Sequence, residues 1–424
     1  MHLNIKLLLL SIILLIFNLA KAQNDSLKVL FLGNSYTASY NLPQIVADLS
    51  AINNKTLVFD SHTPGGNLLW YFTNPGPQYD ITALNKIKST NWDYIILQEQ
   101  STVPTIDHYR YNYMYPAIQS LYDSITFYNE CSKVVLFMTW GRQNGGIFCS
   151  SDNYCSPDFT DFNHMQDSLE SAYTEAADLD NIMVAPVGIA WKNVLNDTNL
   201  VLHSSDESHP NYHGSYLAAN VFYNLFWKEK PQNQLSNSNI SMQIANYLGD
   251  VADSTVFKSN SNWNMDAYNI VSDFSFSTMQ NTTTFLNLSQ SRGNADYLWD
   301  FGDSNSDTVE NPQHTYNNDG NYLVKLETKY CNATDTSSNI VQILWNGFDY
   351  NNSTEVAKIY PNPASSKVFI EVADLLEIWI YNSNGELIHK QFENTINLND
   401  FSKGTFILKI KTKTETIFKS LIKI

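Results

Sequence analysis

Two short groups of residues hold the side chains most able to do covalent chemistry in this chain. Gly33-Asn34-Ser35 follows the apolar run Val29-Leu30-Phe31-Leu32, and Asp206-Glu207-Ser208-His209-Pro210 lies far downstream. A serine directly after a buried strand and a glycine turn can project its hydroxyl, and a following helix N-terminus aims backbone N–H groups at a developing anion. Asp206 and His209, three apart, can share one face of a helical turn, so the carboxylate can fix the imidazole tautomer while His209 takes the proton of a serine. Each group also has a plainer role: Ser and Asn cap helices, and Asp-x-x-His suits a surface cap. His203 and His213 compete with His209 for the part of base. The two groups become one hypothesis because they stand at the two ends of a single α/β segment.

That segment must place Ser35 at the end of its first strand. Apolar runs at 28–32, 56–59, 94–97, 133–138 and 182–185 alternate with amphipathic stretches at 42–53, 80–88, 109–129, 162–178 and 212–226. Continuous apolar strands alternating with helices predict a parallel sheet covered on both faces, and open sheets of this kind bind ligands at the carboxyl ends of their strands.

The chain has 424 residues, which suggests two to four domains, and its 43% hydrophobic content is ample for a core. Its 42 acidic against 25 basic residues give a net charge of −17, which opposes binding to a phosphate backbone and excludes a general nucleic-acid partner. The apolar run 7–17 behind Lys6, followed by Ala20-Lys21-Ala22, reads as a signal peptide over 1–22 that is cleaved on export. No later run is long enough to span a membrane, so the mature chain has no expected transmembrane span. Cys149 and Cys155 bracket a polar loop and are expected to form a local disulfide, leaving Cys131 and Cys331 free. No Cys or His spacing fits a metal ligand set, and no cofactor is expected.

With Gly33-Asn34-Ser35 and Asp206-x-x-His209 in hand, residues 26–228 resemble the SGNH (GDSL-type) hydrolases. The resemblance implies a flavodoxin-like three-layer parallel sheet and acyl transfer through a serine ester. Ser35 would be the nucleophile, His209 the base and Asp206 its orienting partner. It also implies oxyanion donors: the Ser35 N–H, a glycine N–H in Thr63-Pro64-Gly65-Gly66-Asn67 with Gly66 preferred over Gly65, and a side-chain amide in the third block. There the chain has Gln98-Glu99-Gln100 where much of the family has Gly-x-Asn-Asp, so Gln98 is the candidate third donor. Gly65, Asn34 and Arg142, the last in Trp140-Gly141-Arg142-Gln143, are candidate substrate contacts. Rings around 70–72 and 109–115 suit either rim packing or a sugar-stacking surface.

A polar linker is expected over 229–268, with one short helix at 242–248. Residues 269–346 then turn β-rich, and Tyr297-Leu298-Trp299-Asp300-Phe301-Gly302-Asp303 with Asn311-Pro312-Gln313-His314-Thr315-Tyr316 resembles a PKD domain, an immunoglobulin-like sandwich in which His314 is structural. Residues 355–424, opening at Ile359-Tyr360-Pro361-Asn362-Pro363-Ala364, resemble the C-terminal sorting domain of type IX secretion in Bacteroidetes. That resemblance implies passage across the outer membrane by the type IX machinery and then release or attachment at the cell surface. The expected whole is an α/β enzyme domain followed by two all-β sandwiches: a secreted serine esterase acting on acyl, foremost acetyl, esters of a carbohydrate. The alternatives are a non-catalytic glycan-binding surface protein on the same fold, or a lipid esterase or thioesterase.

Overall fold

The computed structural model describes residues 26–73, 76, 78–258, 263–344, 357–383, 385–414 and 416–424, and the chain divides into two units after Ala267. The expected signal segment lies outside the described residues.

In the first unit, β1 (Ser26–Leu32), β2 (Thr56–His62), β3 (Tyr94–Leu97), β4 (Lys133–Phe137) and β5 (Met183–Ala185) form one parallel sheet in the order β2-β1-β3-β4-β5. Val29 to Leu32, Tyr94 to Leu97 and Val134 to Phe137 are buried on both faces, which is why these strands read as continuous apolar runs and not as alternating ones. The chain passes from β1 to β2 on one side and then crosses back to place β3 on the other. The carboxyl ends of β1 and β3 therefore flank the switch point where such sheets form a crevice, and Ser35 and Gln98 emerge there.

Its helices include α1 (Ser35–Ala38), α2 (Leu42–Ile52), α3 (Thr82–Ile87), α4 (Tyr115–Tyr128), α5 (Phe162–Leu179), α6 (Val187–Asp197), α7 (Tyr212–Trp227) and α8 (Met242–Lys258). This is the flavodoxin-like three-layer arrangement. α7 is buried without a break from Gly214 to Phe226 and packs against α2 and α8, so its sequence is mostly apolar around the helix, with Ser215, Asn220 and Asn224 buried among the apolar residues.

The supposed linker is a correction. Residues 229–267 belong to the first unit, and α8 runs ten residues beyond the expected 242–248. Its buried face is Ala245, Leu248, Gly249, Ala252, Thr255 and Val256. Small and hydroxyl residues at helical spacing allow close packing but carry little hydrophobic signal. Trp263, expected in a polar connector, is 2% exposed, and its carbonyl accepts the Val184 N–H next to the sheet. α6 was also not expected.

The described sheets of the second unit are antiparallel. Sheets β10-β7-β6 and β12-β11-β8-β9 comprise β6 (Phe274–Met279), β7 (Thr282–Asn287), β8 (Asp296–Asp300), β9 (Ser306–Asp307), β10 (Gln313–Thr315), β11 (Gly320–Tyr330) and β12 (Ala333–Ile343). They enclose Phe274, Phe285, Trp299, Phe301, Tyr316, Val324 and Leu326. Trp299 and Phe301 point inward either side of Asp300, and His314 stacks on Phe301 at 4.1 Å while meeting Asp303 at 2.8 Å. A second pair of sheets, β13-β14-β17 and β16-β15-β18-β19, uses β13 (Ala357–Tyr360), β14 (Lys367–Val372), β15 (Leu375–Tyr381), β16 (Leu387–Gln391), β17 (Thr395–Asn397), β18 (Gly404–Thr412) and β19 (Thr416–Lys423) around Val368, Ile370, Ile378, Ile380, Ile396 and Leu408.

Candidate active site

Ser35 opens α1 directly after the turn that ends β1. Asn34 caps that helix: its side-chain oxygen accepts the Tyr36 N–H at 3.1 Å, and its carbonyl accepts from Thr37 and Ala38. As the first helical residue, Ser35 has an N–H with no intrahelical acceptor. Gly33 is required by contact. A Cβ there would lie 2.6 Å from Gln98 Oε1, 2.9 Å from Gln98 Cβ and 3.1 Å from Thr37 Oγ1. Gln98 is buried and bonded on every side, so it cannot yield cheaply. Gly33→Ala is expected to cost about 1–3 kcal/mol of stability, the range for overpacking, and to displace the Ser35 turn. Urea denaturation measures this, and a variant as stable as the parent would contradict it.

His209 reaches Ser35 from a closed loop between α6 and α7. The bridge of His203 to Pro210 and the Ser204 N–H to His209 carbonyl bond of 2.8 Å shut the loop. Within it Asp206 is the hub. Its Oδ1 accepts from Ser204 Oγ (2.7 Å), Ser208 N–H (3.1 Å) and His209 N–H (2.9 Å), and its Oδ2 meets His209 Nδ1 at 2.5 Å. On the other side of the ring, His209 Nε2 lies 2.8 Å from Ser35 Oγ. With Nδ1–H given to the carboxylate, Nε2 is left to accept the serine proton.

Asp206 and His209 were expected on a helical turn. They sit instead in a side-chain-bonded turn in which Glu207 takes the left-handed conformation, φ 59°. Partial burial raises the Asp206 carboxyl, but the hydrogen bonds from Ser204, His209 and Ser208 outweigh it and hold the group well below the usual carboxylate range.

The segment after β4 clamps this loop. Trp140 Nε1 donates to the Ser208 carbonyl at 2.9 Å, His203 Nε2 donates to the Gly141 carbonyl at 2.9 Å, and Gln143 N–H donates to the Glu207 carbonyl at 3.0 Å. Tyr36 stacks on Trp140 at 4.7 Å, meets the His209 ring edge-on at 5.2 Å and bonds Ser208 Oγ at 2.8 Å. Tyr36 and Ser208 adjoin Ser35 and His209 in sequence, yet nothing in their types marks them as supports. His203, buried against Gly141, is structural.

Gln98 departs from expectation. Its Nε2 donates to Asn34 Oδ1 at 3.0 Å and to the Glu99 carbonyl at 2.5 Å, and its Oε1 accepts from the Asn34 N–H and Thr37 Oγ, both at 2.9 Å. Both amide protons are committed, so Gln98 has none to offer a developing anion. It clips the Ser35 turn to the end of β3. Asn34, 2% exposed, is likewise a fastener and not a substrate contact: its Nδ2 donates to the Asn67 carbonyl at 3.0 Å and ties in the glycine loop. In that loop Gly66 has φ 68°, a conformation that favours glycine, and Gly65 and Gly66 both face open space.

Beside Gln98, Glu99 is fully buried. Its Oε1 accepts from Leu69 N–H (3.2 Å) and Gln100 N–H (2.6 Å), while Oε2 has no partner. Burial pushes its carboxyl up to about 8, against the lowering effect of those two N–H groups. The folded state thus keeps a proton that the unfolded chain loses near pH 4.5, so the contribution of Glu99 to stability falls as pH rises from there to about 8. Glu99→Gln removes this dependence. Denaturation of the two proteins should diverge by up to about 1.4 kcal/mol for every unit of pH across that window. Parallel curves would contradict the assignment.

Arg142 follows β4 and hydrogen-bonds Ser101 Oγ through Nη2 at 3.0 Å. The rings of Trp70, Tyr113, Tyr109, His108 and Tyr154 are partly exposed but pack on one another, with His108 and Tyr154 stacked at 3.6 Å. Cys149 and Cys155 are disulfide-bonded. Cys131 and Cys331 are disulfide-bonded too, and not free as expected. Among the described residues no cluster of His, Cys, Asp or Glu is arranged to hold a metal, and no helix is long and apolar enough to cross a membrane.

Residues 275–345 match the PKD domain family and residues 358–424 match the secretion system C-terminal sorting domain. The chain therefore carries both modules, and the second marks it for type IX export to the cell surface or the medium. No curated protein matches the chain. Among solved structures it is similar to a DUF4886 family protein from Bacteroides uniformis, with 19% identity, 55% of this chain and 96% of that one covered, and a TM-score of 0.46. It is also similar to a candidate SGNH hydrolase from Slackia heliotrinireducens (22% identity, 47% and 97% covered, TM-score 0.37). A third is an acetyl xylan esterase from Geobacillus stearothermophilus (14% identity, 46% and 92% covered, TM-score 0.32).

Proposed function

We propose that the first unit is a secreted serine esterase of SGNH type, hydrolysing acyl, foremost acetyl, esters on a carbohydrate. The observation that carries this reading is the continuous relay from Ser35 Oγ to His209 Nε2 at 2.8 Å and from His209 Nδ1 to Asp206 at 2.5 Å. Ser35 Oγ attacks the ester carbonyl while its proton passes to His209. The oxyanion meets the N–H groups of Ser35 and Gly66. His209 then gives the proton to the departing sugar oxygen as the C–O bond breaks, releasing the sugar as its hydroxyl. A water, losing a proton to His209, attacks the serine ester, and His209 passes that proton to Ser35 Oγ as the acid leaves and the serine hydroxyl is restored.

The committed amide of Gln98 is the one observation that favours the alternative, a glycan-binding protein without catalysis. A missing oxyanion donor costs about 10²–10³ in rate, which slows an esterase but does not abolish it. Acetate release from acetylated polysaccharides by the mature protein tests the reading. Release that requires Ser35 supports an esterase, and no release from any acyl ester leaves the binding protein.

A further inference from the structure

The segment after β4, the neighbour of the strand β3 that flanks the crevice, carries a positive charge that the proposed reaction does not use. Arg142 is half-buried, yet no carboxylate among the described residues pairs with it. This is unusual in a chain with 42 acidic and 25 basic residues. Its bonds are few: Nη2 to Ser101 Oγ at 3.0 Å, backbone N–H to Met165 Sδ at 3.1 Å, and the guanidinium 5.5 Å over the Phe148 ring, with Nε buried and unpartnered.

Its position is fixed. The segment Trp140 to Gln143 is bonded to the His209 loop at the Ser208 carbonyl, at the Glu207 carbonyl and through His203, while Ser101 follows the third block. Its charge acts on both Tyr36 and His203, the first of which touches the His209 ring. An unpaired guanidinium taken partly out of water is costly, and an incoming anion relieves that cost. The planar fork of arginine matches a carboxylate. One isolated arginine in a strongly acidic protein fits a single carboxylate better than a dianionic phosphate.

We propose that Arg142 is an anion-recognition residue of this crevice and that the natural substrate is an acyl ester of an acidic, uronic-acid-containing carbohydrate. This rests on the esterase reading of the Ser35 site. Two arms keep the two claims apart. In the first, oligogalacturonate, its methyl ester and a neutral oligogalactose are titrated calorimetrically into the full mature chain carrying Ser35→Ala, which cannot turn over a ligand. The charged oligomer is expected to bind about tenfold or more tightly than either uncharged one, as a charge-assisted pair would give. Adding Arg142→Gln should erase that preference, and Arg142→Lys should restore it only in part.

Equal affinity for all three, a preference that survives Arg142→Gln, or no binding of any oligomer would overturn the proposal. Should Arg142→Gln fail to fold, the comparison of charged and methyl-esterified oligomers on Ser35→Ala decides alone. In the second arm, wild-type protein is treated with a fluorophosphonate. Labelled Ser35 without uronate preference removes the Arg142 proposal only, whereas Arg142-dependent uronate binding without labelling removes the esterase reading only.

Discussion

Replacing Ser35 by alanine is expected to lower ester hydrolysis by about 10⁴-fold or more while leaving the fold intact. The large effect follows from the loss of the hydroxyl that faces His209 Nε2 at bonding distance. What remains is the acceleration that binding and the backbone N–H groups supply without a covalent step. The small structural effect follows from the position of Ser35. It is half-buried at the first residue of α1, and its side chain caps nothing: the cap is Asn34. Stability should therefore change by no more than about 0.5 kcal/mol. Initial rates on a soluble acetyl ester, with urea denaturation alongside, measure both. A Ser35→Ala protein retaining a tenth of the activity would remove the serine from the mechanism.

Asp206→Asn is expected to lower kcat by about 10³–10⁴-fold, nearly as much as loss of the nucleophile, although the carboxylate touches no substrate. Oδ1 of Asp206 organises the loop through Ser204, Ser208 and the His209 backbone, and an asparagine oxygen can still accept those bonds. The change falls on the other atom. An amide nitrogen facing His209 Nδ1 can donate but not accept, so the ring turns to the tautomer with its proton on Nε2 and can no longer receive the proton of Ser35. A fall in kcat with little change in KM is the expected signature, because the ground state makes no use of this carboxylate. An equal rise in KM instead would mean that the loop had moved, and that Asp206 serves shape more than tautomer.

The parts of this site legible in the sequence are those set by residue type at a fixed spacing. Ser35 follows a short apolar run closed by a glycine turn, and that length with that flank is the pattern of a buried strand. Asp206 and His209 were legible as a pair, but the conformation joining them was not, since it depends on bonds from Ser204 and Ser208 and on the left-handed Glu207. Gln98 marks where legibility stops. Sequence supplies an amide near the anion, but only the fold decides that both its protons go to Asn34 and Glu99.

Glu99 carried no mark at all, because a charged residue type predicts exposure and its burial comes from the loops over β3. α8 was cut short for a related reason. A helix that buries alanine, glycine and threonine looks polar in a one-dimensional reading, although those residues let it lie close against α7.

The central claim is that Ser35 is an activated nucleophile. The most direct test is mass spectrometry of the intact protein after exposure to a fluorophosphonate, followed by peptide mapping. One adduct per chain on Ser35, formed much more slowly in Asp206→Asn, is the predicted result. An unmodified chain, or an adduct on any other residue, would contradict it.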